Sequence, residues 1–435
     1  MPNNTEHPQP RGNRSLRVRP DCIVKVKAAV KRKGYARQRD LAEELGISLA
    51  TLSNFLNGKP VDCLNFTEVC DRLGLEWKDI SLDPAVDHAK GTDFAPEPVV
   101  VAIEETSADI YVERPQQEQA CYRALTQMGA LIRLQAPSQM GKTSLMRRVK
   151  QQLASKGNRV AYISLHMAEQ ADFKDLNRLL KWFCLSVGQA LGLPNRLREL
   201  WDEEYSTPKV NCASYFEQCF WGQTKTPPIL FLDDLELVFP YEETAAEFLG
   251  LLGAWHEKSK IDQPWQGFRM FLAYATEVQI KLNFNESPFN VGGSIELPEF
   301  TPAEVEQLAQ RHGLSWTEAE VTQLMDWVGG HPYLVEQAVV YLRQHPESQL
   351  VDLLQTATLD NSIYRNHLRW LWRIVQQKQI LHEYLEAIAQ SDQPTSLNGT
   401  QAWQLYKLGL VHWQNDRVQV RNRLYREYFS QQLRG

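Results

Sequence analysis

The sequence of 435 residues has little that would suit a disulfide scaffold, a membrane protein or a repeat protein. Its seven cysteines form no Cys-x-x-Cys pair and no regular framework, and no histidine cluster accompanies them. No apolar run approaches the roughly 20 residues that a membrane span needs, and the amino terminus is polar rather than a signal sequence. We therefore expect a cytoplasmic protein with reduced cysteines and no membrane contact.

A net positive charge is found only in the first part of the chain. The net charge is -6, but residues 1–60 contain 12 Lys and Arg against 5 Asp and Glu, a balance of +7. Residues 61–100 contain 3 against 9, a balance of -6. A basic head followed by an acidic segment predicts an anionic partner for the head rather than for the whole chain.

Hydrophobic patterning predicts a series of domains. Short, continuously apolar runs alternate with helical segments and are typical of a buried parallel sheet. Beyond residue 298 the strands stop, and Thr301 with Glu304 and Ser315 with Glu318 each predict a capped helix start. Near the carboxyl end, a hairpin turn follows helices, as in a winged helix. The predicted segments are a disordered basic tail (1–20), a small all-α helix-turn-helix domain (21–80), a linker (81–108), an α/β core (109–298), a helical segment (299–361) and a winged helix (362–435).

The stretch APSQMGKTS (136–144) has the form of a phosphate-binding loop in which alanine replaces the first glycine. Gly141 would let the backbone approach phosphate closely, Lys142 would supply a positive charge to the β- and γ-phosphates, and the Thr143 hydroxyl could ligate Mg²⁺. Alanine is tolerated at position 136 wherever φ is negative. An apolar strand precedes the loop and a helix follows it, as a nucleotide site requires.

A second acidic element supports this interpretation. The apolar run ILFLDD ends in two carboxylates, of which Asp233 would hold Mg²⁺ directly or through water, and Asp234 would act as a base or orient water. Aspartate is one methylene shorter than the glutamate that is usual in active motor ATPases. We therefore predict ATP binding with slow hydrolysis.

Residues from about 109 to 430 resemble the bacterial AAA-like ATPases related to the STAND (signal-transduction ATPase) class. The matching stretches are YVERPQQEQ (111–119), QMGKTSLM (139–146), ATEVQIKLNFNESPFNVG (275–292), ELPEFTPAEVEQLAQRHGL (296–314) and GGHPYLVEQAVVYL (329–342). The resemblance implies an α/β P-loop NTPase fold with a five-stranded parallel sheet in the order 5-1-4-3-2. It also implies a helical lid, a carboxyl-terminal winged helix and an ATP/ADP-dependent conformational switch.

The resemblance also implies roles for residues outside the loop. Arg114 would lie near the base and ribose, Thr276 at the position of a γ-phosphate sensor, and Pro332 against the nucleotide. Arg421 stands where related switches place a histidine on the ADP β-phosphate. The simpler alternatives are that Thr276 merely ends a strand, that Pro332 starts a helix and that Arg421 is a surface charge. The predicted sites are therefore a nucleotide site (Arg114, Ala136, Pro137, Ser138, Gln139, Met140, Gly141, Lys142, Thr143, Ser144, Pro332 and Arg421), a Mg²⁺ site (Thr143 and Asp233) and catalytic residues (Lys142, Asp234 and Thr276).

The basic head contains a stretch with helix-turn-helix form, QRDLAEELGISLATLSNFLN (38–57). In repressor-like proteins the second helix enters the major groove and its early residues face the bases. The alternative is a small helical adaptor whose positive charge meets an acidic protein surface. The predicted contacts with double-stranded DNA are Ser48, Ala50, Ser53 and Asn54 to bases, and Arg37, Arg39 and Lys59 to phosphates.

Three functions fit these features. The first is an ATP/ADP switch that presents DNA or a protein partner through the head. The second is a DNA-acting AAA+ ATPase of the transposition-targeting or origin-binding type, in which ATP drives homo-oligomer formation. The third is an interaction protein that nucleotide stabilises without hydrolysis.

Overall fold

The structure, a computed structural model, divides into two units, residues 1–95 and 96–435. Each unit is described by itself. The residues that the structure describes are 15–19, 22–33, 35, 41–42, 45, 49–59, 61–62, 66, 69–70, 72–73, 75, 80–82, 110–221, 227–262, 265–278, 292–391, 393–396 and 399–433.

In the described residues of the first unit, helices pack with a small antiparallel sheet. Strand β1 (Ser15–Val18) lies between β2 (Val61–Asp62) and β3 (Ser81–Leu82) and pairs with both. Helices α1 (Ile23–Arg32) and α2 (Leu49–Leu56) contribute to one apolar core with the strands. The unit is therefore a mixed α and β structure.

This sheet corrects two predictions, the all-α domain and the wholly disordered tail over 1–20. Val18 is 1% exposed, and its strand is hydrogen-bonded on both sides. Strand β3 also occupies the first two residues of the segment predicted as a linker. Strands of two to four residues are too short to show the two-residue alternation of a strand, so the helical pattern alone determined the prediction for this domain.

Helix α2 matches the second helix of the predicted helix-turn-helix and presents Leu52 and Phe55 to the core. The chain leaves the helix through Gly58, whose φ is 66°. Of the first predicted helix, the structure describes only residues 41–42 and 45. The helix-turn-helix pair therefore stays a prediction.

A five-stranded parallel sheet forms the centre of the second unit, in the order β5-β6-β7-β4-β8. If β4 to β8 are numbered 1 to 5 and the sheet is read from β8, the order is 5-1-4-3-2. This confirms the predicted order. The strands are β4 (Leu131–Ala136), β5 (Val160–Ser164), β6 (Ile229–Asp233), β7 (Arg269–Ala275) and β8 (Gly293–Glu296).

Helices cover both faces of the sheet, which is why β6 is buried along its whole length. Ile229 and Phe231 pack on one face, whereas Leu230 and Leu232 pack on the other, as the two-residue period of a strand requires. The helices of this domain are α3 (Pro115–Leu125), α4 (Lys142–Ser155), α5 (Gln170–Phe173), α6 (Leu176–Ala190), α7 (Leu197–Leu200), α8 (Pro208–Phe216) and α9 (Glu242–Ile261).

An aromatic core fills one face of the sheet. We define it as Phe183, Phe216, Phe220, Trp255 and Trp265, all at most 1% exposed. The ring centroid of Phe216 lies 4.4 Å from that of Trp255 and 4.5 Å from that of Phe220. These tilted and edge-to-face contacts stabilise the packing of α6, α8 and α9 on the sheet.

The lid follows as four helices, α10 (Pro302–Arg311), α11 (Glu318–Val328), α12 (Pro332–Gln344) and α13 (Leu350–Gln355). The predicted capping box at Thr301 is confirmed, because its side chain and that of Glu304 bond each other's backbone N–H groups.

The second capping box was predicted two residues too early, at Ser315 and Glu318. The structure places it at Thr317 and Glu320, which bond each other's backbone N–H groups. Both pairs fit the sequence pattern of a capping box. The pattern alone therefore could not choose between the two starts.

The carboxyl-terminal residues form the predicted winged helix. Asn415, with φ 55°, lies in the predicted turn between two antiparallel strands. The elements in order are α14 (Arg365–Gln376), α15 (Gln379–Ala389), α16 (Gly399–Lys407), β9 (Val411–Gln414), β10 (Arg417–Val420) and α17 (Arg423–Gln432).

The lid and the winged helix are built around a single shared core. Leu324 and Leu334 from the lid belong to the same apolar cluster as Leu371, Leu405 and Phe429 from the winged helix. The predicted boundary between residues 361 and 362 therefore does not separate two cores.

None of the cysteines that the structure describes forms a disulfide bond, and the Sγ atoms of Cys184 and Cys212 lie 3.5 Å apart, well beyond a disulfide bond length. Within the same parts of the chain, no helix has the length and apolar character needed to cross a bilayer.

Candidate functional site

The loop between β4 and α4 forms the centre of the candidate site. Ala136 ends the strand and Lys142 begins a helix of 14 residues, so the loop lies at the amino end of a helix dipole. Gln139 and Gly141 are both left-handed, with φ of 65° and 92°. Such a loop turns successive backbone N–H groups toward one point, which makes it an anion site.

Gly141 and Ala136 differ in what they require. A Cβ at Gly141 would meet no described atom within 4 Å, so there is open space beside the loop at this point. Glycine is favoured here because φ is positive, not because a side chain would collide. Ala136 pairs with Ala275 in the sheet and has no positive φ. Alanine therefore fits at the position where the usual pattern has glycine.

Lys142 closes the loop on itself. Its Nζ donates hydrogen bonds to the carbonyl oxygens of Ala136 and Pro137, each at 3.0 Å. Burial lowers the pKa of this ammonium group, and the negative charge of Glu277, followed by those of Glu236, Asp233 and Asp234, acts in the opposite direction. One buried cation thus stands among four carboxylates, a field that a bound phosphate or Mg²⁺ would strongly change.

Thr143 and Asp233 meet as a Mg²⁺ site would require. The Thr143 hydroxyl donates to Asp233 Oδ2 at 2.7 Å, and the Tyr162 hydroxyl donates to the same oxygen at 2.5 Å. Asp233 is 1% exposed. A hydroxyl and a buried carboxylate at this distance are a donor set that suits Mg²⁺, which is bound by oxygen ligands.

Asp234 follows in a left-handed conformation, with φ 61°. Its Oδ2 accepts a hydrogen bond from the Ser164 hydroxyl at 2.6 Å, and His166 Nε2 lies 3.7 Å from Oδ1. Burial, and then the charge of Asp233, raise the pKa of this carboxyl group. A raised pKa suits a general base, whereas the Ser164 bond holds the carboxylate at the end of β5.

Thr276 contacts both the start of the loop and the winged helix. Its backbone N–H donates to the Ala136 carbonyl at 3.3 Å, which continues the pairing of β7 with β4. Its hydroxyl donates to the carbonyl oxygen of Lys407 at 2.7 Å. The position predicted as a γ-phosphate sensor is therefore joined directly to the end of α16.

Arg421 lies close to the loop but is paired with a carboxylate. Its Nη1 is 3.6 Å from Glu299 Oε1, and its side chain is 11% exposed. A Cβ on Gly409 would lie 3.0 Å from the Pro137 ring, so the winged helix approaches the loop at this point. Between them is a cavity of about 540 Å³, whose lining includes Ala136, Thr276, Lys407, His412 and Arg421.

His367 is a second link between the loop and the carboxyl-terminal helices. Its Nδ1 lies 2.6 Å from Gln139 Oε1, and its Nε2 lies 2.6 Å from the Tyr425 hydroxyl. A neutral imidazole can donate to the first and accept from the second. This pair of bonds ties a left-handed loop residue to α14 and α17.

Stability should fall when the pH drops below about 6.5, because His367 is buried as a neutral ring. Burial lowers its pKa to about 3, and burial also lowers the pKa of its neighbour His331. At a pH between the pKa of a histidine in the unfolded chain and its lower pKa in the folded protein, the unfolded chain binds more protons. Stability is therefore lost as the pH falls, by up to ~1.4 kcal/mol per pH unit for each histidine.

The measurement is the free energy of unfolding by urea at pH 7.5 and 5.5. His367→Gln should lose less stability over this interval than the wild type does, and the matched variant His382→Gln should lose the same amount. An unchanged pH dependence in His367→Gln would mean that this ring does not contribute to it.

Arg114 and Pro332 lie in a different corner, between sheet and lid. Arg114 is 4% exposed, donates to the Pro298 carbonyl at 2.7 Å and stacks over Phe300 at 4.6 Å. Its Nη2 has no hydrogen-bond partner within the described parts of the chain. Pro332 is the buried first residue of α12. Pro332 thus begins a helix, as its simpler interpretation predicts, and contact of either residue with nucleotide stays a prediction.

With this geometry established, the sequence can be compared with known families. The AAA-like domain family matches residues 101–431, which is more than half of the chain. The chain belongs to the AAA-like domain family. Among curated proteins, the sequence of this AAA-like protein has no match.

Several solved structures are similar to this chain. A Walker-type ATPase of Pyrococcus abyssi is similar with a TM-score of 0.55 and 12% identity, over 76% of this chain and 99% of that one. The Cdc6 protein of Pyrobaculum aerophilum has a TM-score of 0.40 and 13% identity, over 75% and 97%. A STAND protein of Pyrococcus horikoshii with a tetratricopeptide repeat sensor has a TM-score of 0.32 and 14% identity, over 74% of this chain and 42% of that one. The first likeness supports a P-loop ATPase fold for this AAA-like protein.

Most of the predicted loop residues lie together at one edge of the sheet, but they differ in exposure and in the groups that they could offer to a ligand. Met140 is 1% exposed and packs in the core, and it also borders the cavity beside the loop, so its contact with nucleotide stays a prediction. Pro137 has no N–H to donate. Ser144 is exposed in the first turn of α4. The backbone of 138–143 and the side chains of Lys142 and Thr143 stay predicted contacts with phosphate and Mg²⁺.

Four contact residues escaped prediction because no motif marks them. Tyr162 and Ser164 reach the two aspartates only because β5 pairs with β6 in register, Ser164 opposite Asp233. Glu277 and His367 contact the loop across 139 and 228 residues of sequence. One signal in the sequence was available for two of them, because Tyr162 and Ser164 are alternate residues of β5, the strand that pairs with ILFLDD.

The predicted DNA contacts are only partly described. Arg37, Arg39 and Ser48 lie outside the described residues, and Ala50 is placed on α2 by its backbone alone. Ser53 and Asn54 are half-buried on α2, and Lys59 is exposed after it. DNA contact by these residues stays a prediction.

Proposed function

We propose that this AAA-like protein binds ATP and ADP with Mg²⁺ and couples the bound nucleotide to the position of its winged helix. The backbone of 138–143 and Lys142 would hold the phosphates, and Thr143 with Asp233 would hold Mg²⁺. The open space at Gly141 and the contact between Thr143 and Asp233 support the fit of both groups. Mg²⁺ supplies charge neutralisation when bound.

The observation that carries the proposal is the hydrogen bond from Thr276 to Lys407. It joins the end of a strand beside the phosphate loop to the winged helix. The bond between Gln139 and His367 makes a second connection from the loop itself. Because the lid and winged helix share one core, a change at either contact would bias the whole carboxyl-terminal assembly.

Slow hydrolysis is part of the proposal. Asp234 would orient or deprotonate water, but it is short and is held by Ser164. We expect single-turnover assays to give ATP cleavage that is slow compared with nucleotide binding. Rapid cleavage by the isolated protein would contradict this point and leave nucleotide binding intact.

The switch is tested through the contact that transmits it. Thr276→Val removes the hydrogen bond to Lys407 and keeps the shape of the side chain, whereas Thr276→Ser keeps the hydroxyl. We expect ADP to protect wild-type residues 299–433 from limited proteolysis, the serine variant to behave alike, and the valine variant to be protected several-fold less.

The same samples are examined by size-exclusion light scattering with ADP, ATP or a slow analogue. Proteolysis and mass that are unchanged by every nucleotide would contradict the switch and the homo-oligomer in the ATP state together. A change in mass with ATP alone would support the assembly of several chains.

A DNA-bound form of the switch is a second candidate, and one observation favours it. The first unit exposes Lys25, Lys27, Arg32, Lys33 and Lys59 on and beside its two helices. Such a surface suits phosphates of double-stranded DNA, whereas an acidic protein surface is the alternative partner.

Salt dependence separates these partners. If the five cations each meet a phosphate, affinity for duplex DNA should fall about 10²- to 10³-fold between ~50 and ~200 mM salt. The double variant Lys25→Gln/Lys27→Gln should have a shallower dependence. Weak binding that changes little with salt would contradict DNA as the partner.

A further inference from the structure

Glu277 occupies part of the phosphate loop. The Ser138 N–H, which belongs to the loop, donates to Glu277 Oε1 at 2.5 Å. The strand register explains this contact, because Ala275 pairs with Ala136 and each residue lies two positions further along its chain. The second carboxylate oxygen, Oε2, is buried and has no hydrogen-bond partner among the residues described.

The carboxylate also acts on the loop lysine. Of the four carboxylates whose charge affects Lys142, that of Glu277 has the largest effect. A backbone N–H of the loop and its lysine are the groups that such a loop offers to phosphate oxygens. Glu277 thus presents an anion to the same groups from within the chain.

We propose that Glu277 makes this site prefer ADP to ATP. Its carboxylate lies at the start of the loop, next to Thr276, on the side predicted for the terminal phosphate. Glu277 must leave Ser138 before a third phosphate can bind there, since two anions cannot share one N–H donor and repel each other at short range. A diphosphate leaves the carboxylate in place.

The same displacement reaches the winged helix. Thr276 precedes Glu277 and donates to the Lys407 carbonyl. When Glu277 moves away from the loop, the backbone of Thr276 moves with it and the bond to α16 weakens. Glu277 would thereby make the triphosphate state differ from the diphosphate state in the contact that holds the winged helix.

The inference rests on the proposed nucleotide site, and the test distinguishes the two. Fluorescent ADP and a fluorescent non-hydrolysable ATP analogue are titrated with Mg²⁺ into the full-length protein. We expect wild type to bind ADP at least about 10-fold more tightly than the analogue. Glu277→Gln keeps an oxygen for Ser138 but removes the charge, and should lower this preference at least about 10-fold while changing ADP affinity less than about threefold.

Glu236→Gln is the matched variant, because Glu236 also acts on Lys142 but makes no bond to the loop N–H groups in the described structure. It should leave the preference unchanged. An equal loss of preference in both variants would assign the effect to general charge and overturn the inference. An unchanged preference in Glu277→Gln would overturn it as well.

The remaining outcomes are also decisive. If wild type binds neither nucleotide, the proposed function and this inference fail together. If Glu277→Gln does not fold, as judged by circular dichroism, Glu277→Asp is used. Its shorter side chain should lower the preference by an intermediate factor, and no change would count against the inference.

Discussion

Replacing Lys142 with alanine should lower the affinity for ADP and ATP by about 100-fold, because a charge-assisted contact with phosphate contributes about 1.5–3 kcal/mol. In the structure the ammonium group is bonded to the carbonyls of Ala136 and Pro137, at the start of the loop. It is also the cation that faces four carboxylates. Without it, a bound phosphate would meet those carboxylates with one fewer positive charge.

The affinity is measured by fluorescent nucleotide titration, with Lys156→Ala as the control. Lys156 caps the opposite end of the same helix and is exposed, roughly 20 Å from the loop along the helix axis. The control should bind both nucleotides as wild type does. If Lys142→Ala also binds normally, the loop is not the phosphate site.

The second large effect concerns stability. Phe216→Ala should lower the free energy of unfolding by about 3–5 kcal/mol, because it removes a buried ring and leaves a cavity. Phe216 is 1% exposed and contacts Trp255 and Phe220 within the aromatic core. These rings hold α6, α8 and α9 against the sheet whose β6 carries Asp233.

Urea unfolding followed by tryptophan fluorescence measures this effect, since Trp255 and Trp265 lie in the same core. Phe216→Leu keeps most of the apolar volume and should cost much less, about 1.5 kcal/mol. Equal losses in the two variants would indicate that the shape of the ring, rather than the cavity, determines the stability.

The parts of the fold with long, regular patterns could be predicted from the sequence. The five apolar runs and the family resemblance gave the sheet and its order, because buried parallel strands have continuous apolar sequences. The first capping box, at Thr301, was predicted for a different reason, because the motif lies within four consecutive residues. The three short strands of the first unit were missed because two to four residues carry no period.

The candidate site divides in the same way. Lys142, Thr143 and Asp233 were predicted because their motif is contiguous with a strand or helix. The contact between Glu277 and Ser138 depends on the register of β7 with β4, and that between His367 and Gln139 on how a distant helix packs. Neither is encoded by a local pattern. The sequence also could not indicate that the Thr276 hydroxyl donates to the Lys407 carbonyl.

The shared core of lid and winged helix has a consequence for how this part of the chain opens. A polypeptide that ended at residue 361 would lack the part of the shared core to which Leu371 and Phe429 belong, and apolar lid residues such as Leu324 and Leu334 would lose part of their cover. Residues 299–433 should therefore lose their protection against amide hydrogen exchange in one cooperative event. That result would make the two predicted domains a single cooperative unit.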